Sequence, residues 1–579
     1  MSPSRQLFTT LERAKKRKLS SSTVASQRKA FKMGLIQEVD TEPPSTTSIE
    51  LNETESTIRD LFLDVAKYIE ASSPSQDPIV LRFTGGWVRD KLLGVPSHDI
   101  DVAINNLTGL KFGQKLLEYL KIPGNPEKYG LEGVATTEKQ DQSAAKADKS
   151  KMVRGLHKIA ANPEKSKHLE TVFTSVLGID IDLVNLRKET YDEESRNPQM
   201  EFGTPEEDAQ RRDATVNAMF YNLNTQQLED LTGRGRTDMR DKLLRTPLEP
   251  YQTFMDDPLR VLRLIRFASR LGWPIESSAL EAMQQSEIKS MLQKKISRER
   301  VGLELEKALR GPDPHEALRL ILSLDLYTTI FCDPTTDTPA EFSPSLQRAE
   351  HTIDTLEAIF DEDVSLHTLM VRDSEERYLA WQLAALVPYR DAPLPGPLQP
   401  GRKALPPIAS QVAREGIKAT SKTCELVTTS IRNLGDIRSV VDRFYEQSRK
   451  IADRRTAPTV TTRDYLGMEI RRWGSTWRSQ LLFALLADIS DNPEQTEAYK
   501  RKYTNFLEHL RDLDILDAYQ LKPLLDGKQL AKALNTAPGP WMKDALDVVM
   551  AWQLRNPGKT NTEEAIEEVK KQDQARQRD

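Results

Sequence analysis

The sequence predicts an α+β protein: a small mixed β-sheet with helices in its N-terminal part, followed by an all-helical remainder. Three observations point there. An apolar run at Ile79 to Phe83 reads as a buried strand, and short runs that alternate with a period of two occur at His98 to Ile104, His168 to Thr174 and Ile179 to Arg187. Helix starts and 3.6-residue spacing then appear at Thr204-Pro205 and at Pro258. From about Pro339 the chain reads as helix after helix, with a proline-rich break from Asp391 to Pro407. At 579 residues it has room for three or four domains with proper cores. The boundaries expected are a basic leader over 1–50, a sheet-bearing domain over 51–245, a helical segment over 246–335, and a helical body and tail over 336–579.

Composition narrows the class. Apolar residues make up 38% and charged residues 29%, with a mean hydropathy of −0.56, as in a soluble protein. No apolar run approaches the roughly 20 residues of a membrane span. Cys332 and Cys424 stand far apart without ligand spacing, so neither a disulfide framework nor a zinc site is expected. The net charge of −5 hides local clusters of Lys and Arg, so a nucleic-acid partner would be gripped by a patch. Residues 1 to about 34 are basic, Ser-rich and nearly free of acids. They combine the look of a mitochondrial transit peptide with a Lys15-Lys16-Arg17-Lys18 nuclear patch, and Met33 offers a start that omits both. Mitochondrial, nuclear and cytoplasmic placement is therefore expected.

Thr57 to Ile69 reads as an amphipathic helix leading into the strand Ile79 to Phe83. That strand ends at Gly85-Gly86, where missing Cβ atoms let backbone N–H groups close on a phosphate. Trp87 to Leu93 is helical in spacing, carries Arg89, and is stopped by Gly94 and Pro96. The next strand puts Asp99 and Asp101 on one face, because side chains alternate. Two such carboxylates repel unless a cation sits between them, and hard oxygen ligands suit Mg²⁺, which binds through one or two carboxylates plus substrate phosphates.

A helix is expected around Leu110 to Leu120, then a mobile insertion over about 122–151, poor in apolar periodicity. The hairpin around Gly178 brings Asp180 and Asp182 to one face of its second strand, either of which could approach the acid pair. Arg187 to Phe202 reads as a polar, flexible loop. Thr204 caps a helix expected to run on through Met219, in which Asp213 and Asn217 stand four apart and both reach one ribose, while Arg212 offers a planar fork to a triphosphate. Gly233 and Gly235 make a tight turn that Asp230 can hold. Pro258 suits the first position of a helix whose Arg260, Arg263 and Arg266 share one face, with Val261, Leu262 and Ile265 opposite. Asp257 and Arg260 together form an acceptor and a donor fork. That edge fits cytosine and adenine, each with an exocyclic amino donor beside a ring acceptor, and rejects uracil and guanine. Ser297 is placed to cap a bracing helix that carries Glu299 and Arg300.

Gly85-Gly86-x-Val88-Arg89-Asp90-x-Leu92-Leu93-Gly94 with Asp99-x-Asp101, Arg211-Arg212-Asp213 with Asn217, Leu228 to Pro247, Asp256-Asp257-x-x-Arg260 and Ser297 to Leu305 resemble the five motifs of the class II CCA-adding enzymes and their bacterial poly(A) polymerase relatives, in the polymerase β superfamily. The resemblance is strong over roughly 80–310, and at its fourth motif the usual first Glu is Asp256. It implies a nucleotidyltransferase head, a neck that selects the base, and a body and tail that bind tRNA. It also implies addition of C, C and A to a tRNA 3′ end from CTP and ATP, without a nucleic-acid template, by two Mg²⁺ ions on Asp99 and Asp101. By the same resemblance Asp182 is the third acid, Arg187 to Phe202 helps reshape the site between C and A addition, and Gly85, Gly86, Arg89, Arg212, Asp213, Asn217, Asp257, Arg260, Arg263 and Arg266 bind nucleotide. A monomer or weak homodimer without membrane contact is expected. The alternatives are a poly(A) polymerase of the same family and a non-catalytic RNA-binding protein on the same scaffold, although the latter would be expected to have lost Asp99 or Asp101.

Overall fold

The computed structural model describes residues 49–72, 77–97, 99–135, 152–159, 171–190, 199–335, 342–394, 405–452 and 460–576. The basic leader, residues 136–151 of the expected insertion and 191–198 of the expected loop lie outside them. The chain forms two compact units, Met1–Thr329 and Ile330–Asp579.

The first unit begins with α1 (Glu53–Ser72). Then come β1 (Leu81–Thr84), α2 (Gly86–Leu92), β2 (Asp99–Ile104), α3 (Gly109–Leu120) and α4 (Asn125–Lys128). Five strands follow: β3 (Gly133–Ala135), β4 (Met152–Ile159), β5 (Thr171–Val176), β6 (Ile179–Asn185) and β7 (Arg187–Thr190). They lead to β8 (Gln199–Phe202), α5 (Pro205–Gln210), β9 (Phe220–Asn222), β10 (Gln227–Glu229) and α6 (Gly235–Arg240). Among the described residues eight strands make one sheet in the order β10-β9-β1-β2-β6-β5-β4-β3, and β7 pairs with β8 in a second, two-stranded sheet. The sheet is mixed: β2 runs antiparallel to β1 and parallel to β6, in the register Asp99↔Asp180 and Asp101↔Asp182.

Alternation along β2 sorts its residues. Ile100, Val102 and Ile104 enter a core with Phe62 of α1, Phe112 of α3 and Phe83 of β1. There Phe62 meets Phe112 edge-on at 5.5 Å and Phe83 meets Trp87 at 4.8 Å, geometries that aromatic quadrupoles favour. Ala103, on the opposite face with the two aspartates, joins a smaller cluster of Leu186, Ala209, Ala218 and Phe220.

Four expectations need correction. Residues 122–135 are part of the fold, because Tyr129 and Leu131 reach the core and Gly133–Ala135 pairs with β4. Arg187 to Phe202 is not simply a loop, since its two ends form the β7–β8 ladder. The helix that Thr204 opens with a capping box stops at Gln210, after barely two turns. Ser297 stands at a helix N-terminus but makes no side-chain cap bond.

The rest of this unit is helical: α7 (Pro250–Asp256), α8 (Leu259–Leu271), α9 (Ser277–Met283), α10 (Ser286–Lys295), α11 (Arg298–Leu309) and α12 (Pro314–Ser323). Gly272, in the left-handed region with φ 66°, ends α8 as a C-cap glycine does.

In the second unit, Trp381, Trp477, Phe483 and Tyr503 are fully buried among the helices Ser374–Leu386, Trp477–Asp491 and Thr496–Asp512. Its last helices, Gly527–Ala533, Trp541–Arg555 and Thr562–Arg576, share a separate small core of Leu530, Val549, Trp552 and Val569. The basic and aromatic stretch around Trp473 serves packing. Arg471 donates to the Ala518 and Leu521 carbonyls at 2.9 and 2.5 Å, and Arg478 to that of Leu516 at 3.4 Å. No helix among the described residues is long and apolar enough to cross a membrane.

Candidate active site

Gly85, Gly86, Arg89, Asp99, Asp101, Arg212, Asp213, Asn217, Asp257, Arg260, Arg263 and Arg266 all line one open cavity of about 690 Å³ in the first unit. The strand-turn-helix order at β1–α2 makes its floor. Gly85 takes φ 71° and ψ −138°, a conformation open to glycine and strained for a residue with a Cβ. A Cβ there would lie 2.9 Å from Asp101 Oδ2 and 3.5 Å from Arg212 Nη1, so the bare backbone is what lets the carboxylate and the guanidinium close in.

Asp99 is exposed and Asp101 half-buried. Burial, with the like charges of Asp182 and Asp99 added, outweighs nearby Arg212 and pushes the Asp101 carboxyl up to about 6. Of the two acids on β6, Asp182 stands opposite Asp101 and is half-buried, whereas Asp180 stands opposite Asp99 and is exposed. Among the described residues no three His, Cys, Asp or Glu side chains form a metal cage. A carboxylate pair on one strand, with mutual repulsion to relieve and open space in front, fits a hard divalent ion that completes its shell with phosphate oxygens and water.

Next to the acids runs a chain of charged hydrogen bonds. Buried Arg89 donates to Asp90 Oδ1 at 2.8 and 2.6 Å and to Asn217 Oδ1 at 2.7 Å. Asn217 Nδ2 reaches Asp213 Oδ1 at 3.2 Å, and Asp213 Oδ2 accepts from Arg263 Nε at 2.5 Å. Burial alone would raise the Asp213 carboxyl, but the Arg263 charge and these bonds hold it down at about 2. Arg263 Nη1 also lies 3.5 Å from Glu304 Oε1, and Arg266 Nε donates to Glu304 Oε2 at 2.7 Å. Asp213 and Asn217 therefore do adjoin, though through a turn and a short 3₁₀ segment (Thr215–Asn217) rather than along a helix face.

Arg212 is aimed by three contacts. Asp208 Oδ2 accepts from its Nε and Nη2 at 3.1 and 2.9 Å, and the Asn217 carbonyl accepts from Nη1 at 3.0 Å. Its guanidinium also stands 5.1 Å from the centre of the Phe220 ring. At the neck, Pro258 is the N-cap of α8 and Leu259 its first residue, while Asp257 Oδ1 accepts from Leu259 N at 3.1 Å. Asp257 Oδ2 accepts from Arg300 Nη2 at 3.2 Å. Buried Arg260 donates to the carbonyls of Thr253 and Arg211 at 3.2 and 2.6 Å, and lies 3.7 Å from Glu189 Oε2. Val261, Leu262 and Ile265 pack inward on the opposite side of the helix, as their spacing predicts.

Several contributors are given no role by motif reading: Asp90, Glu189, Asp208, Arg270 and Glu304. Asp208 could have been found as the acid four residues before Arg212. Glu304 is likewise four residues after Arg300. Glu189 and the Arg270–Asp90 pair at 3.1 Å join residues far apart in sequence and leave no local signal.

Residues 81–245 match the family model described as the poly A polymerase head domain. The chain is 39% identical to the nucleotidyltransferase lcsQ of Purpureocillium lilacinum, over 96% of this chain and 98% of that one. It is 36% identical to the mitochondrial CCA tRNA nucleotidyltransferase of Candida glabrata, over 89% and 95%. With the mitochondrial CCA tRNA nucleotidyltransferase of Saccharomyces cerevisiae it shares 34% identity over 89% and 92%. Among solved structures, the Bacillus stearothermophilus CCA-adding enzyme in complex with CTP has the same fold, with a TM-score of 0.53 at 19% identity, covering 91% of this chain and all of the other. The match to the Poly A polymerase head and the identity to fungal relatives along nearly the whole chain place this protein in the family of CCA-adding tRNA nucleotidyltransferases.

Proposed function

We propose that this chain adds C, C and A in turn to the 3′ end of tRNA from CTP and ATP, with no nucleic-acid template. The observation that carries the reading is the meeting of four partial sites in one cavity: an acid pair, a glycine turn with Arg212, the Asp213–Asn217 pair and the Asp257–Arg260 edge.

Asp99 and Asp101 would hold two Mg²⁺ ions, with Asp182 as the third acid; the chemistry supplied there would be a lowered pKa for the attacking 3′-hydroxyl and neutralisation of charge on the leaving pyrophosphate. The backbone at Gly85 and Gly86 and the fork of Arg212 hold the triphosphate in line. Arg89 acts by fixing Asn217, and Asn217 with Asp213 meets the ribose hydroxyls. Asp257 and Arg260 read the base edge, while Arg263 and Arg266 keep the nucleotide side of α8 cationic. One site then serves two nucleotides because the protein edge takes the place of a template. The names of the Candida and Saccharomyces relatives and the basic leader together favour a mitochondrial location, with nuclear and cytoplasmic forms from the second start.

The test is incubation with tRNA lacking its last three nucleotides. Two C residues followed by one A, and then arrest, support the reading. A long A tail would identify a poly(A) polymerase, and no incorporation would identify a binding protein.

A further inference from the structure

Helix α11 carries two residues one turn apart and of opposite charge: Arg300, which lines the cavity, and Glu304, which is buried behind it. Glu304, buried, holds Arg263 and Arg266. Arg300 holds Asp257 instead, through Nη2 to Oδ2 at 3.2 Å, and the other carboxylate oxygen is held by Leu259 N at 3.1 Å. Both carboxylate oxygens of Asp257 are thus tied, each to a different helix, α11 and α8. Both partners are donors, so they fix the plane of the carboxylate without removing its charge, and each oxygen keeps a free lone pair.

We propose that Arg300 is a specificity-determining residue that holds the Asp257 carboxylate so as to accept one amino proton and to refuse guanine. Guanine presents two adjacent donors, N1–H and N2–H, and a carboxylate free to turn takes both at once, one on each oxygen. With Arg300 on Oδ2 and the Leu259 amide on Oδ1, the carboxylate is held in one plane and cannot turn to present both oxygens together to the guanine edge. The single amino donor of cytosine or adenine still finds a lone pair, while Arg260 serves the ring acceptor. Discrimination then comes as much from the pairing denied to guanine as from the pairing offered to cytosine. The inference rests on the assignment of Asp257 to base selection made above.

The test uses the full chain, tRNA lacking its CCA end, and each nucleoside triphosphate alone, with kcat/KM compared for GTP and CTP. Arg300→Ala is expected to raise GTP use relative to CTP about tenfold, the size of one lost charged hydrogen bond near the surface. Arg300→Lys, which restores a donor without the planar fork, should recover part of the selectivity. A GTP to CTP ratio in Arg300→Ala equal to that of the parent overturns the proposal, as does a parallel fall for all nucleotides. If Arg300→Ala does not fold, judged by circular dichroism, the ratio in Arg300→Lys decides in the same way. Asp257→Ala separates the two levels: unchanged selectivity in that variant removes the underlying assignment, whereas altered selectivity there with none in Arg300→Ala removes only the role of Arg300.

Discussion

Gly85→Ala tests the cradle around Asp101 most directly. Its φ of 71° costs an L residue roughly 1–2 kcal/mol. The new Cβ would also lie 2.9 Å from Asp101 Oδ2, where ordinary contact begins at 3.4 Å, so the carboxylate must retreat by the difference of 0.5 Å. A misplacement of about 1 Å at a reacting centre costs on the order of 100-fold in rate, so half of that is expected to cost about 10-fold or more. Gly94 provides the control. It has φ 68° but nothing within 4 Å of an added Cβ, so Gly94→Ala carries the backbone strain without the contact. Both variants should lower Tm by roughly 2–8 °C, from about 1–2 kcal/mol at 2–4 °C each. Only Gly85→Ala should slow single-turnover addition of C to tRNA lacking its end. Equal rates for the two variants would refute the close packing of Gly85 on Asp101 as a catalytic requirement.

Asp99→Ala should reduce incorporation by about 1000-fold or more while leaving the melting curve of the parent, because on the proposed reading it would remove a metal ligand, and the side chain is exposed and braces nothing in the core. Asp257→Ala should leave chemistry in place but narrow the preference for CTP over UTP by about 10-fold in kcat/KM, and an unchanged preference would count against the base-edge assignment. Glu304→Ala leaves Arg263 and Arg266 without their shared buried carboxylate and should cost about 3 kcal/mol in urea unfolding; a loss below about 1 kcal/mol would show that Asp213 alone suffices. Burial, with Asp313 beside it, pushes Glu316 up to about 7 from an ordinary 4.5, so the folded state holds a proton that the unfolded state gives up between those values. Stability therefore falls as pH rises through that window. Glu316→Gln should raise Tm at pH 8 and leave it nearly unchanged at pH 4, and the opposite order would contradict the burial.

Local chemistry was legible and through-space chemistry was not. Period-two alternation around Asp99 and Asp101 is a property of consecutive residues, and β2 keeps it. The pairing of Asp213 with Asn217 was expected from helical spacing, yet it arises from a turn after a helix that ends at Gln210. The four-residue separation was a correct signal attached to the wrong geometry. The β7–β8 ladder was missed because Arg187 to Thr190 carries charge where a strand usually carries apolar side chains, and its partner is another polar segment. Arg260 was expected on an open cationic face, but it is buried against backbone carbonyls of Thr253 and Arg211 that no side-chain pattern announces.

The parallel register of β2 with β6 sets acid beside acid on two alternate rungs, Asp99 with Asp180 and Asp101 with Asp182, with Ile100 beside Ile181 between them and Val102 beside Leu183 after them. Facing like charges weaken strand pairing, so this seam is strongest at its greasy end and pushes itself apart at the other. Cations arriving there would do structural as well as chemical service, zipping the mouth of the sheet shut. Amide protons near Asp101 should then exchange faster in chelator than in magnesium, while those near Ile104 keep the same rate.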